Sequence, residues 1–320
     1  MDRIGHVVDT THFHDHGALG DLFSLAQEME QLDQEPPLPT TPSLRLEPRA
    51  RPRILVADFH EPSSRTYNSF SSAMVSLGGQ VIGTNDAKQD SSAAKGEWLE
   101  DEIRVYASYG DAIVLRHPEE GAARRAAAVS RVPVINAGDG AGEHPTQALT
   151  DLYTIRKHYG RMDELNVAMV GDLLYGRTVH SLARLLSSRK GIHLTFVAPE
   201  PLRMREDVRA YLQGHGVPFK ETDDLEAAAA SADVLYATRI QGERFQDPAE
   251  YGRLKGIYAV TPAILKGMRE GAMVMHPLPR VGEISPEVDA DPRAWYFRQA
   301  ENGIPVRRAL LKVILDGYPK

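Results

Sequence analysis

The sequence predicts an α/β protein of two domains, each a mostly parallel sheet flanked by helices, and three observations predict it. A length of 320 residues gives a prior of about two domains. Short apolar runs alternate with helix-period segments twice along the chain, over residues 53–135 and again over 167–275. That is the pattern of βαβ units and of parallel strands covered on both faces. The last apolar stretch, residues 304–315, is amphipathic and needs a surface to cover it, expected to be the first domain.

Composition narrows the function. Hydrophobic residues at 42% and charged residues at 25% fit a soluble globular chain rather than a disordered one. A net charge of −7 gives no basic footprint, so nucleic acid is not an expected partner. The chain has no cysteine, which excludes disulfides, thiolate metal sites and a cysteine nucleophile. No apolar signal core opens the sequence and no run approaches the roughly 18 apolar residues of a membrane span, so a cytoplasmic protein without membrane contact is expected.

Residues 19–29 carry Leu22, Phe23, Leu25, Ala26 and Met29 at helical spacing. His12, His14 and His16 just before them lack a second ligand cluster and read as structural or surface histidines. The proline-rich residues 34–53 read as a connector. Residues 53–59 are a buried strand. Phe70, Ala73, Met74 and Leu77 then mark a helix that Gly78-Gly79 stops. Further strands are expected at Val81-Ile82, 112–115 and 132–135, with helices over 97–107 and 121–129. His144-Pro145-Thr146-Gln147 opens a helix to about Tyr159, and the domain boundary is placed at its start. The second series has strands at 167–170, 194–197, 234–238, 258–260 and 273–275.

In parallel sheets ligands bind beyond the carboxyl ends of strands, so the residues that follow each strand carry the chemistry. Glu61-Pro62-Ser63-Ser64-Arg65-Thr66 sits where a strand gives way to a helix N-terminus. Hydroxyls, unpaired amides and a forked cation there make an anion cradle, against the plainer reading of a serine helix cap beside a surface arginine. Arg116, His144 and Gln147 follow other first-domain strands. Arg177, Thr178, Arg239, Gln241 and the turn His276-Pro277-Leu278-Pro279-Arg280 follow second-domain strands. Together they suggest a site for a phosphate and a carboxylate-rich molecule, with no Ser-His-Asp order or carboxylate pair for covalent catalysis. Gly171 to Thr178 has the glycine spacing of a nucleotide P-loop, but with Arg177 where that mechanism uses lysine and no Mg²⁺-binding acid downstream.

These ordered motifs resemble the aspartate carbamoyltransferase family over nearly the whole chain. The resemblance rests on residues 61–66, Leu115-Arg116-His117-Pro118, Asn136 to Gly140 with His144 to Gln147, Met169 to Asp172, Arg177 to Leu182, Thr238 to Gln241 and His276 to Arg280. It implies the transcarbamylase fold, with residues 1–146 plus 303–320 binding carbamoyl phosphate and 147–302 binding aspartate. The implied reaction forms N-carbamoyl-L-aspartate and phosphate, the committed step of pyrimidine biosynthesis, with no cofactor and no metal. The implied catalytic residues are Arg65, Thr66, Lys95, Arg116 and His144. Ser63, Ser64, Arg65, Thr66, Ser91, Arg116, His144 and Gln147 would hold carbamoyl phosphate. Lys95, Arg177, Thr178, Arg239, Gln241, Pro277 and Leu278 would hold aspartate.

The family resemblance also makes residues 90–97 a loop that enters a neighbouring subunit, so that Ser91 and Lys95 act in trans within a homotrimer. Read without it, Lys95 is a solvated loop lysine. A regulatory chain or a pyrimidine-pathway enzyme is a further implied partner. Ser64 stands where threonine is commoner, and Leu174, Gly242 and Gly282 replace residues that are usually polar or charged in the family. The lost side chains lie in loops implicated in domain closure and inter-trimer contact, so weak or absent aspartate cooperativity is expected. A transcarbamylase for another amino-acid acceptor, and a catalytically weakened trimeric scaffold, are the alternatives.

Overall fold

The computed structural model of the chain describes residues 5–34, 45–47, 49–90, 92–242, 245 and 247–317. Much of the proline-rich connector and Ser91 lie outside the described residues. The chain divides into two compact units, one of residues 1–149 with 302–320 and the other of residues 150–301.

In the first unit α1 (His16–Gln34) starts where the Asp15 carboxylate accepts the Gly17 and Ala18 N–H groups at 2.7 and 3.0 Å, satisfying amides that a helix start leaves open. Its period buries Leu19, Leu22, Phe23, Ala26 and Met29. His12 and His16 are exposed, and no group of metal-ligating side chains among the described residues includes them.

Strand β1 (Ile54–Phe59) leads into α2 (Ser64–Ser76). The helix closes in a Schellman turn: Gly78, at φ 87°, donates to Val75 O at 2.9 Å and Gly79 donates to Met74 O at 3.0 Å. The positive φ is what the Gly78-Gly79 pair supplies. The chain continues through β2 (Gln80–Thr84), α3 (Ala87–Asp90), α4 (Leu99–Tyr106), β3 (Ala112–His117), α5 (Ala122–Val129) and β4 (Val134–Asp139). The strands pair in parallel in the order β2-β1-β3-β4. On one face Val56, Ile113, Leu115 and Val134 pack with Leu99 and Ile103 of α4 and Ala122 and Ala126 of α5. The division between units falls within α6 (Pro145–Tyr159), after Leu149.

The second unit runs β5 (Asn166–Val170), α7 (Arg177–Leu186), β6 (His193–Val197), α8 (Glu206–Gly214), β7 (Phe219–Thr222), α9 (Leu225–Ser231), β8 (Val234–Ala237), α10 (Pro248–Leu254), α11 (Pro262–Gly267), β9 (Met273–Met275) and α12 (Tyr296–Glu301). Its parallel sheet has the order β7-β6-β5-β8-β9. Two differences from the expected strands appear here. Residues 258–260 are not a sheet strand: Val260 makes one isolated bridge, to Ile284, because Pro262 opens a helix two residues later. Strand β7 was not anticipated, since an edge strand reading Phe-Lys-Glu-Thr carries no apolar run.

The last helix, α13 (Gly303–Asp316), belongs to the first unit and packs on α1 and α2. Val306, Leu310, Leu311, Val313 and Ile314 are among its buried apolar residues. Its end is tied down by Arg53, a buried guanidinium that donates to Leu315 O at 2.9 Å and Asp316 Oδ1 at 2.8 Å. Lys312 donates to Asp316 Oδ2 at 3.0 Å. The start of β1 and the end of α13 are therefore fixed together. Leu310→Ala is expected to lower unfolding free energy by about 2–5 kcal/mol in urea denaturation, the cost of a cavity at a fully buried leucine.

Candidate active site

The strand order of each sheet decides where side chains collect. In the first sheet the order reverses between β1 and β3, and in the second between β5 and β8. Neighbouring connections leave such a point in opposite directions and open a crevice at the strands' carboxyl ends. Most of the residues expected from sequence follow these four strands.

In the first unit the chain leaves β1 through His60, Glu61 and Pro62 and enters α2. Ser63 is the N-cap residue in extended conformation, yet its side chain does not cap the helix. Its Oγ donates instead to Thr66 Oγ1 at 3.1 Å, and its N–H donates to Asn85 Oδ1 at 3.0 Å. The plainer reading of Ser63 as a helix-capping side chain therefore does not describe this turn. The first turn of α2 contains no acidic residue, so the positive end of the helix is not neutralised locally. Ser64 and Arg65 are exposed and Thr66 is buried.

Arg116, near the end of β3, is half-buried. Its Nε donates to Glu61 O at 3.0 Å and its Nη1 to Ala137 O at 3.2 Å, while Nη2 pairs with the Glu61 carboxylate. His60 N–H also donates to Arg116 O at 2.8 Å. The arginine and the cradle are thus locked to one another. His144, buried at the entrance to α6, receives Gln147 and Ala148 N–H groups on its carbonyl at 3.0 and 3.2 Å. Gln147 is half-buried one turn into that helix. Asn136 to Gly140 form a braced turn: Asp139 accepts from Asn136 Nδ2, Gly121 N and Glu143 N at 3.0, 2.9 and 2.9 Å. Lys95 is exposed in a short turn, residues 92–95.

In the second unit the segment with P-loop spacing folds around a carboxylate. Asp172, fully buried, accepts the Tyr175 N–H at 2.8 Å and the Gln241 N–H at 3.3 Å. Those amides are turned toward an internal anion, which argues against a nucleotide phosphate cradle there. Burial raises the Asp172 pKa, opposed by backbone hydrogen bonds and by the charge of Arg239. Gly171, at φ 116°, is required because a Cβ would lie 2.4 Å from the Thr238 carbonyl oxygen. This close approach ties the β5 and β8 ends together. Arg177 and Thr178 open α7, and Arg239 and Gln241 follow β8; all four are half-buried.

A buried hydrogen-bond chain runs beneath these residues. Tyr236 OH, beside Thr178, donates to Asp151 Oδ2 at 2.8 Å, and Gln299 Nε2 donates to Asp151 Oδ1 at 2.7 Å. His276 N–H then donates to Gln299 Oε1 at 2.8 Å. Leu278 N–H donates to His276 Nδ1 at 2.8 Å, which leaves the ring proton on Nε2, facing Glu283 Oε1 at 3.0 Å. Burial favours protonated Glu283, but the hydrogen bonds from His276 and Val281 outweigh it and hold the carboxyl below its ordinary pKa. Leu278 adopts φ 56° beside Pro277, a conformation rare for leucine that the His276 contact helps to hold.

Sequence reasoning quoted Asp172 within two motifs but gave it no role, and it did not single out Asp151, Gln299 or Glu283. Each acts through backbone amides or through a partner far along the chain, and no spacing rule exposes such a pairing.

Comparison with known proteins finds one family along both halves of the chain, with bounds that differ from those of the compact units: residues 302–314 fall in the second match but in the first unit. The family description "Aspartate/ornithine carbamoyltransferase, carbamoyl-P binding domain" matches residues 6–157, and the "Asp/Orn binding domain" of the same family matches residues 163–314. Aspartate carbamoyltransferase of Arabidopsis thaliana, chloroplastic, is 49% identical over 305 residues, 95% of this chain and 76% of that protein. The aspartate carbamoyltransferase catalytic subunit of Methanocella arvoryzae is 54% identical over 279 residues, 85% of this chain and 90% of that one. Trypanosoma cruzi aspartate transcarbamoylase, solved with carbamoyl phosphate and aspartate, superposes with TM-score 0.87 at 39% identity, over 97% of each chain. The chain belongs to the aspartate/ornithine carbamoyltransferase family.

Gln299→Leu removes the acceptor of the His276 N–H and one donor to Asp151. It is expected to cost about 1–3 kcal/mol of stability in thermal or urea unfolding.

Proposed function

We propose that the chain is an aspartate carbamoyltransferase, transferring the carbamoyl group of carbamoyl phosphate to L-aspartate. The observation that carries the reading is the β1–α2 cradle, with an uncapped helix N-terminus, three hydroxyls and Arg65, locked to Arg116 at the switch point of the first sheet. The likeness to the Trypanosoma cruzi enzyme solved with both substrates supports the choice of aspartate.

In the proposed reaction the neutral amine of aspartate attacks the carbonyl carbon. The new C–N bond pushes the π electrons onto the carbonyl oxygen, and their return expels phosphate as the C–O bond breaks. The amine loses one proton, which leaves with phosphate or passes to water. Ser63, Ser64, Arg65 and Thr66 hold the phosphate through hydroxyls, amides and guanidinium, and Ser91 adds a hydroxyl. Thr66, Arg116 and His144 donate to the carbonyl oxygen as its charge grows, and Gln147 takes the carbamoyl amino group. A donor placed there is worth about 2.7–4 kcal/mol in the transition state. Arg177, Thr178, Arg239 and Gln241 bind the carboxylates of aspartate, and the backbone at Pro277 and Leu278 meets the amine. Holding both reactants in place removes much of the entropic barrier.

A homotrimer with Lys95 and Ser91 reaching a neighbour's site is part of the proposal, as are a cytoplasmic location and a regulatory or pathway partner. The exposure of Lys95 in its own chain supports the trans arrangement. The relative from Methanocella arvoryzae is named a catalytic subunit, which supports the search for a second chain.

Steady-state assays with aspartate beside ornithine test the reaction. Carbamoyl aspartate is the expected product, and Arg116→Ala is expected to lower kcat by about 10²–10³-fold. Product from ornithine alone would move the assignment to another acceptor, and no binding of carbamoyl phosphate by folded protein would leave a scaffold. Mixing inactive Arg65→Ala and Lys95→Ala chains after dissociation is expected to restore activity; none returns if each chain completes its own site. The aspartate saturation curve is expected to be hyperbolic, because Leu174, Gly242 and Gly282 supply no polar or charged side chain at three loop positions where the family usually has one, and a sigmoidal curve contradicts this.

A further inference from the structure

Immediately before the cradle lies a charged cluster that the proposed reaction does not use. Strand alternation puts Val56, Asp58 and His60 toward one face, the face on which Val56 packs with Leu99 and Ile103. An apolar residue would be expected at each position. Asp58, His60 and Glu102 of α4 instead meet there, at relative exposures of 0%, 5% and 1%. His60 Nε2 lies 3.1 Å from Asp58 Oδ2 and 3.1 Å from Glu102 Oε2. Asp58 Oδ1 has no hydrogen-bond partner, so the imidazolium is the main compensation for that buried carboxylate. Tyr106 of α4 hydrogen-bonds with Glu102, and the His117 ring of β3 lies 4.8 Å from that of His60.

We propose that His60 is a positioning residue for the phosphate cradle: clamped as a cation between Asp58 and Glu102, it fixes the backbone that continues directly into Glu61 to Thr66. The inference rests on the cradle being the phosphate site of the proposed reaction.

The covalent path is short. No residue separates His60 from Glu61, whose carbonyl and carboxylate hold Arg116, and the His60 N–H itself holds the Arg116 carbonyl. A shift of the His60 ring therefore moves the cradle and the oxyanion donor together. Glu102 carries the same restraint to α4, the helix that follows the Lys95 turn. Taking three ionisable groups out of water is expensive, and removing one partner leaves an uncompensated charge. The cluster is thus stiff while His60 is protonated and loosened when it is not.

The charge states agree with the geometry. Burial opposes the His60 cation, but the hydrogen bonds it donates to Asp58 and Glu102, together with the attraction of their charges, outweigh it and raise the pKa to about 9. Burial raises the Asp58 carboxyl, and burial followed by the neighbouring His60 charge lowers His117 to about 4. Tyr106 is raised by burial and by the two carboxylates and stays neutral. His60 gains its proton more readily folded than unfolded. Its stabilisation is complete below the ordinary value of 6.5 and is lost as pH rises through about 9.

The test is inorganic phosphate binding to the full chain by calorimetry across the alkaline range, in wild type, Glu102→Gln and His60→Phe, together with carbamoyl phosphate KM and kcat. Wild type is expected to lose about tenfold in phosphate affinity as pH passes through the His60 transition. Glu102→Gln, nearly isosteric, is expected to fold normally and move the transition to lower pH. His60→Phe is expected to abolish it and raise KM for carbamoyl phosphate about tenfold with kcat within about threefold. A tenfold binding change is about 1.4 kcal/mol. An unchanged transition in Glu102→Gln, or wild-type KM in His60→Phe, overturns the proposal. So does phosphate affinity lost on chelation and restored by zinc, which would make the cluster a metal site. Phosphate binding needs no amine acceptor, so failure to form carbamoyl aspartate while the pH-dependent binding persists would count against the proposed reaction and leave the role of His60 standing.

Discussion

Parallel pairing of β1 with β3, and of β5 with β8, is the constraint on which the rest of the molecule depends. Parallel strands need crossovers, and each crossover helix begins at the same edge of its sheet. Helix N-termini, with their open amides, therefore gather at the strands' carboxyl ends. The cradle at Ser63 to Thr66 and the Arg177-Thr178 start of α7 are both products of this arrangement. In each unit the topology collects open amides and polar side chains at one edge of the sheet.

Buried polar groups do the fine positioning. Asp172 draws two loop amides around itself, and Asp151, Gln299 and His276 link the region beneath Thr178 to the turn at Leu278. Burying such groups is unfavourable unless nearly every donor and acceptor is satisfied. The return is a restricted geometry: a leucine held at positive φ and a histidine held in one tautomer are available only because the surroundings leave them no lower-energy alternative.

Much of the fold was legible because strands β1, β3, β4, β5 and β8 are buried on both faces and read as apolar runs, and because helices such as α1 and α13 keep their period over several turns. The exceptions have the same cause in reverse. Strand β7 is a polar edge, and residues 258–260 are apolar but cut off by Pro262. Among the candidate site residues, Arg65, Arg116 and Arg177 were visible as cations after strands. Asp58, His60 and Glu102 were not, although the alternation of β1 already places the first two on one face. Glu102 reaches them from helix α4, 42 positions further along the sequence than His60, and only the packing of that helix shows it.

The placement of α13 has a consequence for how the chain is completed during synthesis. The second unit is continuous in sequence, whereas the first is interrupted by all of it. Until residues 303–316 emerge from the ribosome, the apolar faces of α1 and α2 lack the helix that covers them. The first unit, although its strands are translated first, is thus the later of the two to be completed, and its exposed surface is the natural target of chaperones in the interval.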